Sequence, residues 1–352
     1  MTLKLAREVD ADRITRLDRA LLNHTDRGFL VVSAMPPSDH QTHAAHMGRL
    51  RKLEDLGLAR ERQTGVWENK PDMEAKLRSL GLRGDIIMTM HRDLKQAKID
   101  RASGSFAVFD TEKPNNRIVG GVAGAGLTDE INHKHYVVLD GMDGKVHHAD
   151  IGHVPPELVP ERGMIVAVES KGIGEAEQQR TRLRILSYIN LGRLVEAEGA
   201  TWLDKEILSS HPERNSNLDY GSLVQTAVAR RQQWLVSQGL GMFVAEREYG
   251  TAPNLLAQLR ERDLRQANIT LSKELGLTTM SLIEGERLSG TYLRPVTLPS
   301  GRYAVIQKAK EFVLVPWQRE FENTRDRLIL GLAGGQGISW DWSGRKRGLE
   351  IS

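Results

Sequence analysis

Cysteine is absent from this sequence of 352 residues. Its absence excludes disulfides, thiolate zinc sites, iron–sulfur clusters and thiol nucleophiles, so any metal would need histidine or carboxylate ligands. Aromatic residues are few, with six each of Phe, Trp and Tyr. No stretch approaches the roughly 20 apolar residues of a membrane helix, and the N-terminal MTLKLAREVDADR is charged where a signal peptide is apolar. We therefore expect a globular, cytoplasmic protein of two or three domains that does not contact a membrane.

Charge is distributed unevenly around the formal net value of +3. Residues 1–100 carry a net charge of +3, residues 101–175 of −4 and residues 176–352 of +4. Basic ends suit a phosphate-binding surface, but an excess of this size is small beside the effect of local placement. Composition therefore leaves nucleic-acid binding open.

The first hundred residues have the pattern of a winged-helix-like module. Apolar residues three and four positions apart predict helices at residues 11–22 and 43–56, with a short β-prone run at residues 29–32 between them. Charged and apolar residues then alternate over residues 58–68, which is typical of a hairpin. A helix of such a module can enter the major groove of DNA while the hairpin follows the phosphates. The basic residues that we expect to be exposed and to bind DNA are Arg49, Arg51, Lys52, Arg60 and Arg62. The alternative is a small packing domain with an ordinary solvated basic face.

The rest of the chain alternates between helical and β patterns. A helical period covers residues 73–98 but is broken at Gly81 and Gly84, and short runs with glycine turns over residues 101–175 predict a small β-barrel. Helices are predicted at residues 175–191, 202–209, 218–238 and 254–275, followed from Thr279 by a second barrel-like β region. No internal repeat recurs at a fixed period. The predicted fold class is α+β, with domains at residues 1–100, 101–175 and 176–352.

Histidines cluster in the predicted barrel. His133 and His135 are two positions apart, so on a strand they would lie on one face, and His148 would reach them from the next strand. This spacing could hold a metal, and a metal-dependent nuclease is one alternative function. The simpler interpretation is that these are solvent-exposed loop histidines. The glycine-rich GGVAGAG fits neither a Walker loop nor a dinucleotide fingerprint, so we expect no cofactor.

The C-terminal region combines cations and tryptophans. Trp317, Trp340 and Trp342 could stack on bases beside cations that neutralise phosphates. The cations are Arg302, Arg345, Lys346 and Arg347. In a small barrel, however, tryptophans more often belong to the core.

Several segments, in order along nearly the whole chain, carry a resemblance to a known family. They include RITRLDRALL, GRLRKLEDLGLA, RGDIIMTMHRDL, VVLDGMDGKVHH, ATWLDKEIL, ARRQQWLVSQGL, GERLSGTYLRPVTLPSGRYAVI and ISWDWSGRKRGL. The chain resembles the region that follows the nuclease domain in conjugative relaxases of the T-DNA border-nicking type, including their terminal domain of unknown function. The nicking tyrosine and the histidine cluster of such relaxases lie in the preceding domain and have no counterpart here, so we expect no nicking activity.

The resemblance implies an accessory role in conjugative transfer. The expected function is non-catalytic DNA processing, with single- or double-stranded DNA as partner. A relaxase nuclease domain and the coupling protein of a type IV secretion system are the expected protein partners. A protein-interaction module without DNA binding is the second alternative.

Overall fold

The computed structural model describes residues 3–36, 38–171, 181–210, 217–245, 248–325, 327–334 and 337–342. The chain divides into two compact units, Met1–Arg92 and Asp93–Ser352. Helices and strands alternate in both units, so the α+β class predicted from the sequence is confirmed.

The first unit combines helices with a small antiparallel sheet. Its elements are α1 (Leu3–Val9), α2 (Arg16–Asn23), β1 (Thr25–Asp26), β2 (Phe29–Val31), α3 (His40–Asp55), β3 (Ala59–Gln63), β4 (Val66–Asn69) and the start of α4 (Met73–Ala97). The strand order is β1-β2-β4-β3, so the strand before α3 pairs with the second strand of the hairpin after it. The fully buried Trp67 packs with Leu21, Leu30 and Leu50 in the core.

Helix α4 is continuous, so the break predicted at Gly81 and Gly84 is wrong. A glycine inside a helix costs only about 1 kcal/mol relative to alanine. Buried side chains on both sides of the two glycines, among them Leu77 and Met90, hold the helix together and outweigh that cost.

A six-stranded sheet opens the second unit. Its strands are β5 (Phe106–Val108), β6 (Arg117–Asp129), β7 (Lys134–Gly141), β8 (Val146–His153), β9 (Ile165–Ser170) and β10 (Thr181–Ser187), in the order β10-β9-β6-β7-β8-β5. Only β5 and β8 are parallel. No ladder joins β10 to β5 within the described part of the chain, so this is an open sheet and not the closed barrel predicted. The hydroxyl of Thr181 nevertheless donates to the carbonyl of Asp150 at 2.9 Å, which ties the edge strand β10 to β8.

The helix predicted at residues 175–191 is wrong over residues 181–187, which form β10. In TRLRILS, Arg182 and Arg184 are exposed while Leu183 and Ile185 are half-buried and pack on the core beneath. This alternation has the period of two of a strand, and the leucine spacing alone hid it. Residues 175–180 of the predicted helix lie outside the described residues.

Helices and a second sheet complete this unit. The first part contains α5 (Leu191–Leu194), α6 (Trp202–Leu208), α7 (Asp219–Ser237), β11 (Gly241–Ala245), β12 (Glu248–Thr251) and α8 (Leu255–Leu275). The sheet that follows contains β13 (Thr278–Thr279), β14 (Arg287–Leu298), β15 (Gly301–Lys308), β16 (Glu311–Pro316), β17 (Leu328–Gly334) and β18 (Gly337–Asp341). Its order is β13-β16-β15-β14-β17-β18, with only β13 and β16 parallel. It is also open among the residues described.

The two six-stranded sheets have the same topology. In each, a short first strand runs parallel to the fourth, and the remaining strands follow in the same order. The second strands share an irregularity, because the register shifts between Val122 and Gly124 in β6 and between Tyr292 and Arg294 in β14. The chain therefore contains two structural repeats with the same order of helices, hairpin and six-stranded sheet. The first repeat spans residues 3–187 and the second spans residues 191–341.

The helical parts of the repeats share a buried arginine. In the first repeat, Arg49 Nε donates to Asp18 Oδ1 at 2.7 Å, and the carboxylate of Asp18 also caps α2 through Thr15. In the second, Arg231 Nε donates to Asp204 Oδ1 at 2.8 Å, and Asp204 caps α6 through Thr201. All four charged side chains of these two arginine–aspartate locks are fully buried.

Insertions of different length hide the repeat in the sequence. The separation of equivalent positions is 186 residues for Thr15 and Thr201, 182 for Arg49 and Arg231, and 170 for Val122 and Tyr292. A search for one fixed period therefore finds nothing, although the element order recurs.

Candidate nucleic-acid interface

Helix α3 and the hairpin β3–β4 form the first candidate surface. Asp39 caps α3, since its carboxylate accepts from the amide of Thr42 at 2.6 Å, and this hydrogen bond lowers the pKa of Asp39. The helix ends at Asp55, two residues before Gly57, whose φ of +67° suits glycine, and the amide of Leu58 donates back to the carbonyl of Leu53 at 2.8 Å. The tight ending leads directly into β3. The outer strand of the hairpin therefore begins next to the end of α3.

Arg49 is not part of this surface, and its predicted exposure is wrong. Its side chain is fully buried, and its guanidinium donates to Asp18 and to the backbone carbonyls of Val9, Ala11 and Arg13. All five N–H donors of an arginine are used by these acceptors. Arg49 is therefore a structural residue.

The other four predicted residues differ in their availability. Arg51 and Arg60 are exposed, and neither forms an ion pair among the residues described. Lys52 is half-buried and pairs with Asp12 at 3.0 Å. Arg62 is exposed but pairs with Glu68 across the hairpin. Arg51 and Arg60 are thus the cations of this surface with the smallest competition from carboxylates.

A cleft of about 380 Å³ in the second unit is rich in positive charge. We call it the cationic cleft; it is lined by His153, Val154, Pro155, Leu158, Lys171, Thr181, Arg182, Leu183, Ile185, Tyr188 and Arg319. Three of these side chains are formal cations, and none of the lining residues carries a carboxylate. Burial raises the pKa of the Tyr188 hydroxyl, with Arg302 acting in the opposite direction, so Tyr188 is neutral at physiological pH.

Arg302 acts electrostatically on Tyr188 of this cleft, but its guanidinium already has partners. Its guanidinium stacks on the ring of Trp317 with 4.2 Å to the centroid, and it donates to the carbonyl of Glu157 at 3.1 Å. Glu322 accepts from Arg302 at 3.4 Å and from the Trp317 indole N–H at 3.1 Å. Arg302 and Trp317, both predicted to touch DNA, therefore form an internal network that holds the β8–β9 connection against the second sheet.

The remaining predicted tryptophans belong partly to the core. Trp340 and Trp342 each pack edge-on against the buried Phe321, with ring centroids 5.1 Å apart. Trp340 also lines a second cleft, of about 410 Å³. We call this the tryptophan cleft; it is lined by Pro316, Gln318, Leu332, Ala333, Gly334, Ile338, Ser339 and Trp340. The predicted cations Arg345, Lys346 and Arg347 lie outside the described residues.

The predicted histidine cluster is not a metal site. His133 precedes β7 in a turn with φ of +47°, and His148 lies buried in β8, stacked on Tyr136 with 5.0 Å between centroids. Burial lowers the pKa of His148, which keeps its imidazole neutral. Within the described ranges, no three His, Asp or Glu side chains are grouped so that they could hold a metal ion. His133, His135 and His148 thus do not form the constellation that a metal-dependent nuclease would need.

Sequence reasoning missed the cationic cleft. Its cations, Lys171, Arg182 and Arg319, are far apart in the sequence. They meet because β10 pairs with β9 at the edge of the first sheet and because the segment after β16 reaches the same cleft. The alternation of TRLRILS was the one local signal, since it marks a strand whose exposed positions are arginines.

The folded chain thus combines a helix–hairpin surface with two clefts at the edges of repeated open sheets. The family described as "Protein of unknown function (DUF3363)" matches residues 46–181 and 172–350. These stretches cover most of the chain, and the protein belongs to this family. No curated protein and no solved structure matches it. Across the residues that the structure describes, none of the helices has the length and apolar character needed to cross a bilayer.

Proposed function

We propose that this protein is a non-catalytic, cytoplasmic DNA-binding component of conjugative transfer, acting as the post-nuclease region of a relaxase does. The carrying observation is the surface of α3 and its hairpin, on which Arg51 and Arg60 are exposed without ion pairs among the residues described. The resemblance to relaxases supplies the biological setting of the proposal. The proposed fold of the first unit is a winged-helix-like module.

The order of elements supports a major-groove contact. α3 has 16 residues and so is about 24 Å long, and it is followed by a hairpin whose inner strand pairs with β2. Gln41, Ala44 and Arg51 are exposed and, at intervals of three and seven residues, lie on one face of α3. Arginine and glutamine read base edges in the major groove, and alanine can contact a thymine methyl group. Arg60 on β3 would then meet the phosphate backbone.

The test measures fluorescence anisotropy of a labelled duplex with the full chain across a salt series. The double variant Arg51→Ala/Arg60→Ala is expected to weaken duplex binding and to lower the slope of log K against log[salt] by about 1 to 2, because each lost phosphate contact is worth about 0.9.

The matched control is Arg78→Ala/Arg265→Ala, which removes the same charge from exposed positions on α4 and α8. Equal salt slopes for the two double variants, or no duplex binding by the wild type at low salt, would refute the proposal.

A second candidate function is protein docking, and the hairpin of the second repeat favours it. Positions 60–62 carry Arg-Glu-Arg in β3, whereas the equivalent positions in β11 carry Met242, Phe243 and Val244, which are 63%, 54% and 61% exposed. The proposed partners are a relaxase nuclease domain and the type IV coupling protein.

Met242→Ser/Val244→Ser is expected to abolish capture of these purified partners and to leave duplex binding unchanged. Undiminished capture by this variant would remove the hairpin from consideration.

A further inference from the structure

The two clefts occupy the same place in the two repeats. The cationic cleft lies between the end of β8, the end of β9 and the edge strand β10. The tryptophan cleft lies between the end of β16, the end of β17 and the edge strand β18. Because β8, β9 and β10 are equivalent to β16, β17 and β18, each open sheet forms a cleft where its edge strand curls toward the fourth strand. A feature produced twice by the same topology is a property of the fold.

The two clefts are also next to each other in the chain. Gln318 lines the tryptophan cleft, and its neighbour Arg319 lines the cationic cleft. Arg302 reinforces the junction, since it stacks on Trp317 and donates to Glu157 in the β8–β9 connection of the first repeat. One segment, residues 317–319, therefore borders both clefts.

The chemistry of the clefts is complementary. Arg182 and Arg319 are exposed guanidinium groups that suit a phosphodiester, and Tyr188 offers a neutral aromatic ring beside them. The other cleft offers the half-buried ring of Trp340, with Gln318 and Ser339 as hydrogen-bonding side chains. Proteins that bind single-stranded nucleic acids generally combine basic side chains that contact the phosphodiester backbone with aromatic rings that stack on the bases.

We propose that the cationic and tryptophan clefts together form a binding site for single-stranded nucleic acid, separate from the duplex-binding surface of the first unit. The phosphodiester backbone lies along Arg182 and Arg319, and a base enters the tryptophan cleft and stacks on Trp340. A duplex cannot use this site, because its bases are already paired and stacked and would have to leave the helix to reach the indole.

The experiment uses the full chain and a labelled oligothymidylate, measured by anisotropy across a salt series. Arg182→Ala/Arg319→Ala is expected to weaken oligothymidylate binding and to lower the salt slope by about 1.4, since each single-strand phosphate contact contributes about 0.7. Trp340→Leu is expected to weaken binding roughly tenfold with an unchanged salt slope, because it removes stacking and no charge. Gln318→Ala provides a milder change in the same cleft, in case Trp340→Leu perturbs the packing on Phe321.

The same control variant serves this experiment, and the results distinguish failure of the single-strand site from failure of the duplex surface. Arg78→Ala/Arg265→Ala again removes two positive charges, but from side chains outside both clefts. It is expected to leave single-strand binding within about twofold of the wild type, because neither arginine contacts a phosphate of the bound strand in this proposal. Arg51→Ala/Arg60→Ala is expected to affect the duplex and spare oligothymidylate. The proposal is overturned if the wild type does not bind oligothymidylate, if Arg182→Ala/Arg319→Ala behaves like the control, or if it weakens duplex and single strand equally.

Discussion

Replacement of Arg49 by methionine should break the first arginine–aspartate lock. Methionine keeps much of the aliphatic volume but donates no hydrogen bond. Asp18 would then remain as a fully buried carboxylate without its counter-charge, and three backbone carbonyls would lose their donor. Arg49→Met therefore removes a whole set of buried partners at once.

The expected cost is about 3 to 5 kcal/mol, the range for breaking a buried ion pair by removing one partner. This is a large share of the roughly 5 to 15 kcal/mol that stabilises a typical domain. The double variant Asp18→Asn/Arg49→Met leaves no unpaired charge, and the amide oxygen of the new asparagine side chain can still accept the hydrogen bonds from Thr15. It should recover at least about 1 kcal/mol of the loss.

Hydrogen exchange followed by mass spectrometry measures each lock separately. Because about 1.4 kcal/mol corresponds to a factor of ten, Arg49→Met should accelerate the slowest amides of peptides from residues 9–22 by about two to four orders of magnitude. Arg231→Met should do the same to peptides from residues 194–208, which contain the carbonyls that Arg231 contacts. Unchanged protection near the substituted lock, or a double variant less stable than Arg49→Met, would show that the ion pair does not carry the stability assigned to it.

Three further predictions concern the second unit. Thr201→Ala should cost about 0.5 to 2 kcal/mol in urea unfolding, because it removes the cap of α6, and a loss below that range would contradict the capping role. Gly290→Ala should destabilise the second sheet by about 1 to 3 kcal/mol, since its Cβ would stand 2.7 Å from the carbonyl oxygen of Gln307, and an unchanged melting temperature would refute the close contact. Burial raises the pKa of Asp263 in the folded state, so its contribution to stability is fully present below the unfolded pKa near 4 and is lost as pH rises through the folded value. Asp263→Asn should therefore flatten the dependence of unfolding free energy on pH above about pH 4, and an identical slope in the variant would contradict the shift.

Helices with a clear apolar period were predictable from sequence. The spans predicted at residues 202–209, 218–238 and 254–275 match α6, α7 and α8 within one residue at each end. Local chemistry sets these ends, such as the Thr201 cap and the left-handed Gly276 after α8. Where the signal is local, the sequence is sufficient.

Burial of a charged side chain was not predictable in the same way. Arg49 lies one helical turn after Ala45 and one turn before Leu53, which places it on the buried stripe of α3. The leucine spacing in the sequence predicts a buried stripe beside the one that is observed, which leaves Arg49 outside it. An arginine at such a position is expected to be exposed, because a buried arginine needs partners. Its partner Asp18 is 31 residues away, and only the tertiary fold brings the two together.

The candidate interface likewise has one part that local sequence patterns predict and another part that only the tertiary fold creates. Arg51 and Arg60 follow from a helix and hairpin that are local in sequence, and both are exposed as predicted. The cationic cleft instead depends on where β10 pairs and on how an arginine of the second repeat reaches it. Such sites require the sheet order, which no local period encodes.

The shared locks also define a signature by which such modules can be recognised in other chains. A Thr-x-Leu-Asp cap, Thr15–Asp18 or Thr201–Asp204, is followed 27 to 31 residues after its aspartate by Arg-x3-Leu-x3-Gly-Leu. In both copies the glycine has a positive φ, 67° and 69°, and the leucine after it donates to the carbonyl of the leucine five residues earlier at 2.8 Å. The residues of this pattern thus have defined physical roles: the threonine caps a helix, the aspartate completes the cap and is the counter-charge, the arginine is the buried donor, the glycine stops the helix and the leucines are buried. A genome scan with the pattern would therefore sort homologues by how many copies of the module they carry, independently of the surfaces on which those copies have diverged.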